Sequence, residues 1–173
     1  MSTIHIRPAT TADLPALFRF EQDLIATERP FDPTFKPDPI HYYDLTAMIA
    51  APDVHLLVAE AAESAESAES PGSMRQPESR AMGQLLGSGY ARIEPAKPYL
   101  RHATYAYLGF MYTDPAHRGK GINALIMEGL REWAQARGMT ELRLDVYNVN
   151  SQAIRAYEKA GFIPHLLNMR RPV

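Results

Sequence analysis

The stretch "DPAHRGKGINALIMEGLREWAQARG", residues 114–138, decides the fold because it joins a glycine turn to an amphipathic helix. Apolar residues recur at helical spacing after the turn: Ile122, Leu125, Ile126, Leu130 and Trp133. Arg137 and Gly138 then supply the cation and the glycine that are typical of a helix C-terminus. We therefore predict a helix that begins directly after Gly121.

The turn before this helix, "RGKG" at residues 118–121, has the composition of an anion site. The first N–H groups of a helix have no partner within it, and the helix dipole favours negative charge there. Gly119 and Gly121 let the backbone approach phosphate oxygens without an intervening Cβ, while Arg118 and Lys120 add positive charge. The alternative is a strand-to-helix turn that simply requires glycine, flanked by two solvated cations.

Two nucleotide-binding motifs do not fit this turn. The P-loop needs Gly-Lys followed by Ser or Thr, whereas Lys120 is followed by Gly121. The dinucleotide motif would place its third small residue at Ala124, but it belongs in a β-α-β unit. Here the preceding strand follows another strand, so the context is wrong.

A second informative segment is "LRLDVYNVNSQAIRAYEKAGF", residues 142–162. We predict a strand over its first part and then a helix that starts near Ser151. Asn150 is suited to cap that helix, Tyr157 lies two turns later, and Gly161 ends it.

Taken together, the two segments resemble the GNAT superfamily of CoA-dependent N-acyltransferases. Arg118, Gly121 and Asn123 fall on the family's phosphate motif, although Asn123 stands where a small residue is usual. The family's second motif is matched by the following residues: Asn150, Ala153, Tyr157, Glu158, Lys159, Gly161 and Phe162. The opening "IRPAT..DLPAL" also looks like the family's, so the resemblance extends over nearly the whole chain.

The resemblance implies acetyl-CoA as the cosubstrate, held mainly by backbone. The implied binding residues are Met111, Tyr112, Thr113, Arg118, Gly119, Lys120, Gly121, Ile122, Asn123, Asn150 and Tyr157. The backbone N–H of Tyr112 is the implied oxyanion donor. Tyr157 is the implied partner of the departing thiolate. Full proton transfer from a phenol of pKa ≈ 10 to a thiolate of pKa ≈ 8.5 is uphill by ~2 kcal/mol, so hydrogen bonding and positioning are expected instead.

A general base is also needed, because a lysine-like amine is only about one part in 2,500 neutral at pH 7, a cost of ~4.6 kcal/mol. Many family members carry a glutamate on the strand before the phosphate turn, but "ATYAYLGFMYT" has no acid or histidine. Candidates from elsewhere are Glu28, Glu94 and His102, and Tyr107 is suited to hold a water. We take Glu94 as the working assignment.

The pattern of elements predicts an α/β (α+β) fold of one domain, residues 1–173. We expect the order β-α-α-β-β-β-α-β-α-β, with a mixed, mostly antiparallel sheet flanked by helices. The last strand is "FIPHLLNMRR", residues 162–171. Residues 61–80 carry three Ala-Glu-Ser triplets and few large apolar groups, so we predict a disordered loop between two strands.

Composition narrows the functional classes. The 173 residues have a net charge of −2, which gives no basic field for nucleic acid or an anionic membrane. With no cysteine, thiolate metal sites and a cysteinyl acyl-enzyme are excluded, and direct transfer is favoured. The six histidines show no ligand spacing, so no metal is expected. The start lacks a signal peptide, and no apolar run approaches the ~20 residues of a membrane span, which makes the cytoplasm the expected location.

The sequence thus predicts an acetyl-CoA-dependent N-acetyltransferase acting on a primary amine of a small molecule or peptide. The resemblance also allows a homodimer. Phe31, Phe35, Tyr42 and Tyr43 form either an aromatic wall for the acceptor or ordinary core. Two rivals stay open: a catalytically silent acyl-CoA-binding domain, and a nucleotide-binding protein that uses "RGKG" for another phosphate.

Overall fold

A computed structural model of the chain describes residues 3–61 and 83–173. Within these ranges five strands form the sheet: β1 (Ile4–Pro8), β2 (Val54–Ala61), β3 (Leu85–Pro95), β4 (Thr104–Thr113) and β5 (Leu142–Arg143). Four α-helices in the described residues flank it: α1 (Leu14–Glu28), α2 (Leu45–Ala50), α3 (Ile122–Ala136) and α4 (Ser151–Lys159). This part of the chain also has short 3₁₀ turns at Thr11–Asp13, Arg29–Phe31 and Pro115–His117.

The strands follow one another in the sheet in chain order, β1-β2-β3-β4-β5. The first four are antiparallel, and β5 alone runs parallel to its neighbour β4. One core cluster packs the sheet against α3, and a second packs the opposite face against α1 and α2. This is the mixed, mostly antiparallel sheet between helices that the sequence predicts.

Two finer expectations about the strands were wrong. Residues 162–173 form no strand, although a final strand over residues 162–171 was predicted. Pro164 cannot donate to a sheet ladder, and Ile163 and Leu166 are 82% and 85% exposed, so this segment has neither pairing nor burial to stabilise it. The predicted strand before α4 is reduced to the two residues of β5.

The predicted loop at residues 61–80 begins at a strand end, because Ala61 is the last residue of β2. Its other residues lie outside the described ranges. Among the residues that the structure describes, no helix is long and apolar enough to cross a membrane. Within the same ranges, no three acidic, histidine or cysteine side chains gather as metal ligands would.

A β-bulge at Phe110 shapes the middle of β4. The register with β3 shifts between the pairs Ser88–Tyr112 and Tyr90–Gly109, and Phe110 has a φ of 53°. This left-handed conformation costs a residue with a Cβ about 1–2 kcal/mol. The bulge moves the side chains that follow it to the other face of the sheet. Leu108, before the bulge, packs on the α3 side, whereas Phe110 packs on the α1 side.

Candidate functional site

The sheet opens between β4 and β5. Within the described residues, the two strands pair only at Ala106–Leu142 and Tyr107–Arg143. Nothing in β5 pairs with the following half of β4, which runs from Leu108 to Thr113. A run of backbone donors and acceptors that β5 leaves unpaired is suited to bind an extended ligand as an added strand would.

The backbone direction in this gap follows from three contacts. Asp114 N donates to Leu86 O at 2.9 Å, and Tyr112 lies opposite Ser88. By strand alternation the N–H of Tyr112 therefore points at β3, and that of Thr113 points into the gap. Ser88 Oγ also donates to Phe110 O at 3.2 Å, drawing that carbonyl toward β3. In a trans peptide the next N–H points the opposite way, so Met111 N–H also faces the gap.

The side chain of Tyr112 has a structural role. Its ring lies 4.5 Å from that of Phe20, and its hydroxyl donates to Asp23 Oδ2 at 2.9 Å. Burial, then the hydrogen bond to Asp23, raises the pKa of Tyr112. These contacts fix the end of β4 on α1.

The glycine turn stands at the end of this gap. Gly119 and Gly121 have φ values of 78° and 79°, and a Cβ built on either would meet no atom within 4 Å. Gly121 is the N-cap of α3 and offers no side chain to its first amides. The first helical bond runs from Leu125 N to Gly121 O at 3.1 Å, so the preceding N–H groups are available to an anion.

Charged and polar side chains complete the turn. Arg118 and Lys120 are both exposed, and Arg118 Nε donates to Thr113 O at 3.4 Å. The first helical residue, Ile122, is 1% exposed and anchors the turn to the core. Asn123 Oδ1 is enclosed without a hydrogen-bond partner among the described residues. The free N–H groups and the two cations are donors that a phosphate group could accept from, and phosphate binding at this turn stays a prediction.

Asn150 and Tyr157 belong to α4. Asn150 Oδ1 accepts from Ala153 N at 3.1 Å, so its oxygen caps the helix. Phe162 N donates to Tyr157 O at 3.0 Å, and the two rings meet edge to face at 5.9 Å. Burial, then the negative charge of Glu28, raises the pKa of Tyr157 to about 12.

The candidates for the general base lie in different places. Glu94 is six positions along β3 from Ser88, or about 20 Å, and Arg92 Nε donates to its Oε1 at 2.6 Å. His102 lies 3.2 Å from Glu141 Oε2, outside the gap. Tyr107 lies nearer to the gap, because it pairs with Arg143 where β4 and β5 part. Its hydroxyl donates to Asp145 Oδ2 at 3.1 Å. Glu28 ends α1, and desolvation raises the pKa of its carboxyl group.

Sequence reasoning missed the role of Glu21. This fully buried carboxylate accepts from Tyr42 N and Tyr43 N, each at 3.0 Å, and lies 2.9 Å from His41 Nδ1. It thereby holds the aromatic loop before α2 against α1. The available signal was its position within the apolar stripe of an amphipathic helix, where a charged residue needs a partner.

The resemblance implies that the loop before α2 lies over the acceptor, so replacing Glu21 with alanine should raise the KM for the acceptor about tenfold and leave CoA affinity unchanged. The reason is that two backbone N–H groups lose an ionic acceptor worth about 1.5–3 kcal/mol each, which frees the loop. Initial-rate kinetics and calorimetry measure the two quantities. Glu21→Gln is the control, because it keeps an oxygen for both N–H groups and should resemble the parent protein. An unchanged KM in Glu21→Ala would place this loop away from the acceptor.

A family model described as "Acetyltransferase (GNAT) family" matches residues 26–162, which is most of the chain. The chain belongs to the GNAT acetyltransferase family. Streptothricin acetyltransferase of Streptomyces lavendulae is 48% identical to this GNAT chain over 48 residues, which are 28% of this chain and 25% of that protein. The match thus spans a quarter of the length of that relative.

Solved structures share the GNAT fold of this chain. A mutant protein from Bacillus halodurans superposes with a TM-score of 0.74 at 19% identity, over 98% of this chain and 99% of its own. A predicted acetyltransferase from Clostridium acetobutylicum, crystallised with acetyl-CoA, has a TM-score of 0.65 at 16% identity, over 97% and 96%. At these identities the likeness establishes the fold.

Proposed function

We propose that this GNAT protein transfers the acetyl group of acetyl-CoA directly to a primary amine. The observation that carries the proposal is the opening between β4 and β5, which ends at the glycine turn of α3. One ligand can therefore pair along Met111–Thr113 and place its phosphates at residues 118–123. Acetyl-CoA has this combination of an amide-bearing arm and a pyrophosphate, and it is the cosubstrate used by the family.

In this proposal the backbone N–H of Met111 is the oxyanion donor, in place of Tyr112. The N–H of Tyr112 points at β3. Ser88 holds the Phe110 carbonyl toward β3, so the N–H of Met111, in the same trans peptide, points into the gap. The amine nitrogen attacks the thioester carbon while this N–H polarises the carbonyl oxygen. A C–N bond forms, the C–S bond breaks with its electrons left on sulfur, and the nitrogen loses one proton.

Tyr157 stabilises the departing thiolate by donating a hydrogen bond. Its pKa of about 12 lies ~3.5 units above that of a thiol, so full proton transfer would be uphill by about 5 kcal/mol. Tyr157→Phe should therefore lower kcat about tenfold, the value of one hydrogen bond to a charged group, and should lower it more than it lowers CoA affinity. Equal turnover of the two proteins would make Tyr157 structural. Tyr99→Phe, on the exposed loop between β3 and β4, is the control for the loss of a phenol.

The first experiment is to incubate the protein with acetyl-CoA and a panel of amines and to follow free CoA thiol with a thiol reagent. The protein contributes no thiol, because it has no cysteine. The panel holds polyamines, amino acids, peptides, aminoglycosides and streptothricin, the last because of the 48-residue match. Thiol release with one class supports the proposal and names the acceptor. Tight acetyl-CoA binding without release by any class would favour a silent binding domain.

A further inference from the structure

The pairing of β3 with β4 skips three residues at the bulge. One of them, Gly89, lies on β3, and the other two, Phe110 and Met111, lie on β4. The peptide that joins Phe110 to Met111 carries the carbonyl of the first residue and the N–H of the second, which is the proposed oxyanion donor. Because the strand register does not include this peptide, its orientation depends on contacts other than the ladder.

The side chains at the two ends of this peptide are held on opposite faces of the sheet. Phe110 is 2% exposed, and its ring lies 4.9 Å from that of Tyr43 on the α1 side. Met111 packs on the α3 side, where a Cβ built on Gly89 would lie 2.6 Å from its sulfur and 2.8 Å from Ile126 Cγ2. Glycine therefore gives the Met111 side chain its space. The two side chains anchor the bulge, but they do not fix the rotation of the peptide plane between them.

The hydroxyl group of Ser88 supplies a contact that fixes this rotation. Ser88 is 0% exposed, and its Oγ donates to Phe110 O at 3.2 Å. A half turn of the peptide would exchange its carbonyl and its N–H, so Ser88 would lose this acceptor. An unsatisfied buried hydroxyl costs about 1–3 kcal/mol, which favours the orientation with Met111 N–H in the gap. The flipped peptide would instead direct a carbonyl oxygen at the oxygen of the thioester.

We propose that Ser88 is a positioning residue for acetyl transfer, whose hydroxyl keeps the N–H of Met111 aimed at the thioester carbonyl. This inference rests on the proposed acetyl transfer and adds to it a residue that the protein encloses completely. Loss of an oxyanion donor lowers kcat about 10²–10³-fold. Without the hydroxyl the peptide still adopts the productive orientation part of the time, so the effect of Ser88→Ala should be smaller, about ten- to a hundredfold.

The test compares Ser88→Ala with Val58→Ala, using the amine that gives the fastest thiol release in the panel. Val58 is 0% exposed and lies opposite Ser88 in the pairing of β2 with β3, so it is a matched control for weakened packing at this point of the sheet. Ser88→Ala should lower kcat and kcat/KM for acetyl-CoA together, as expected for an interaction made in the transition state. Val58→Ala should lower the melting temperature and keep kcat. Ser88→Thr retains a hydroxyl and should restore kcat.

Infrared spectroscopy supplies a readout that needs no acceptor. The probe is acetyl-CoA that carries a carbon isotope label at the thioester carbonyl. A hydrogen bond from Met111 N–H weakens the C=O bond, so the bound carbonyl band should lie at a higher frequency in Ser88→Ala than in the parent protein or in Val58→Ala. CoA lacks this carbonyl, and calorimetry should show that it binds all three proteins equally.

The outcomes separate the role of Ser88 from the proposed function. An unchanged kcat and an unchanged carbonyl band in Ser88→Ala would overturn the role of Ser88 and leave acetyl transfer standing, and so would an equal loss of kcat in Val58→Ala. If Ser88→Ala does not fold, Ser88→Cys replaces it in the infrared comparison, because a thiol is a weaker donor, and a band equal to the parent's would overturn the role. If the parent protein acetylates no amine, the proposed function fails, and the infrared comparison still decides on Ser88.

Discussion

Replacing Gly121 with alanine is expected to weaken CoA binding about a hundredfold. Gly121 has a φ of 79°, which costs alanine about 1–2 kcal/mol, so the turn would relax and redirect the first N–H groups of α3. Each hydrogen bond to a charged phosphate is worth about 1.5–3 kcal/mol, or roughly ten- to a hundredfold in affinity. The added Cβ would also enter space that the protein leaves open.

Gly138→Ala is the matched control, because it imposes the same strain at the other end of α3. Its φ is 75°, and a Cβ there also meets no atom within 4 Å. Both variants should melt at similarly lowered temperatures, but only Gly121→Ala should lose CoA affinity in calorimetry. If the two variants bind CoA equally well, the glycine turn does not hold the phosphates.

Replacing Asp13 with alanine should lower the free energy of unfolding by about 1.5–3 kcal/mol, since it removes a buried carboxylate that accepts charged hydrogen bonds and leaves Arg7 with Glu60 as its remaining acidic partner. Asp13 is 1% exposed and accepts from Arg7 Nη1 and Nη2 at 2.8 and 2.9 Å and from Thr10 N at 2.7 Å. These bonds tie the end of β1 to the start of α1. A loss of this size is a large part of the 5–15 kcal/mol typical of a domain.

Denaturant unfolding measures this loss, with Glu128→Ala as the control. Glu128 pairs with Arg131 on the exposed face of α3, and its loss should leave stability unchanged. A destabilisation of Asp13→Ala no larger than that of the control would show that the Arg7 contact is not important for folding.

Stability should also depend on pH through Asp13. Burial alone would raise the pKa of this carboxyl group, but the hydrogen bonds from Arg7 and Thr10 lower it below its ordinary value of 3.8. A group with a lowered pKa in the folded state contributes stability above that ordinary value, and the contribution is lost as the pH falls. The difference in unfolding free energy between the parent protein and Asp13→Ala should therefore shrink below pH ~4.

Local patterns were enough to predict the glycine turn, the helix α3 that follows it, and the helix α4. Helix α3 begins at Ile122, directly after Gly121, and Gly138 has the positive φ expected just after a helix. Asn150 caps α4 as predicted. These features depend on periodicity, capping and φ preference, which are properties of neighbouring residues and need no distant partner.

The shape of β4 could not be predicted in this way. In the sequence, Ala106, Leu108, Phe110 and Tyr112 continue one alternation, which predicts a single buried face. The bulge at Phe110 divides them between two faces, and Ser88, 22 residues earlier, bonds the carbonyl that orients Met111. A register shift depends on the partner strand, so the strand's own pattern does not contain it.

The sequence by itself determined the order of the elements through α4 and the glycine turn, because each is encoded by local spacing. Only the tertiary structure decided the environment of each candidate carboxylate. Glu28 and Glu94 are equivalent as isolated side chains, but Glu94 pairs with Arg92, whereas desolvation raises the pKa of Glu28. Desolvation and charge depend on what packs around a group, and long-range packing alone brings those neighbours together.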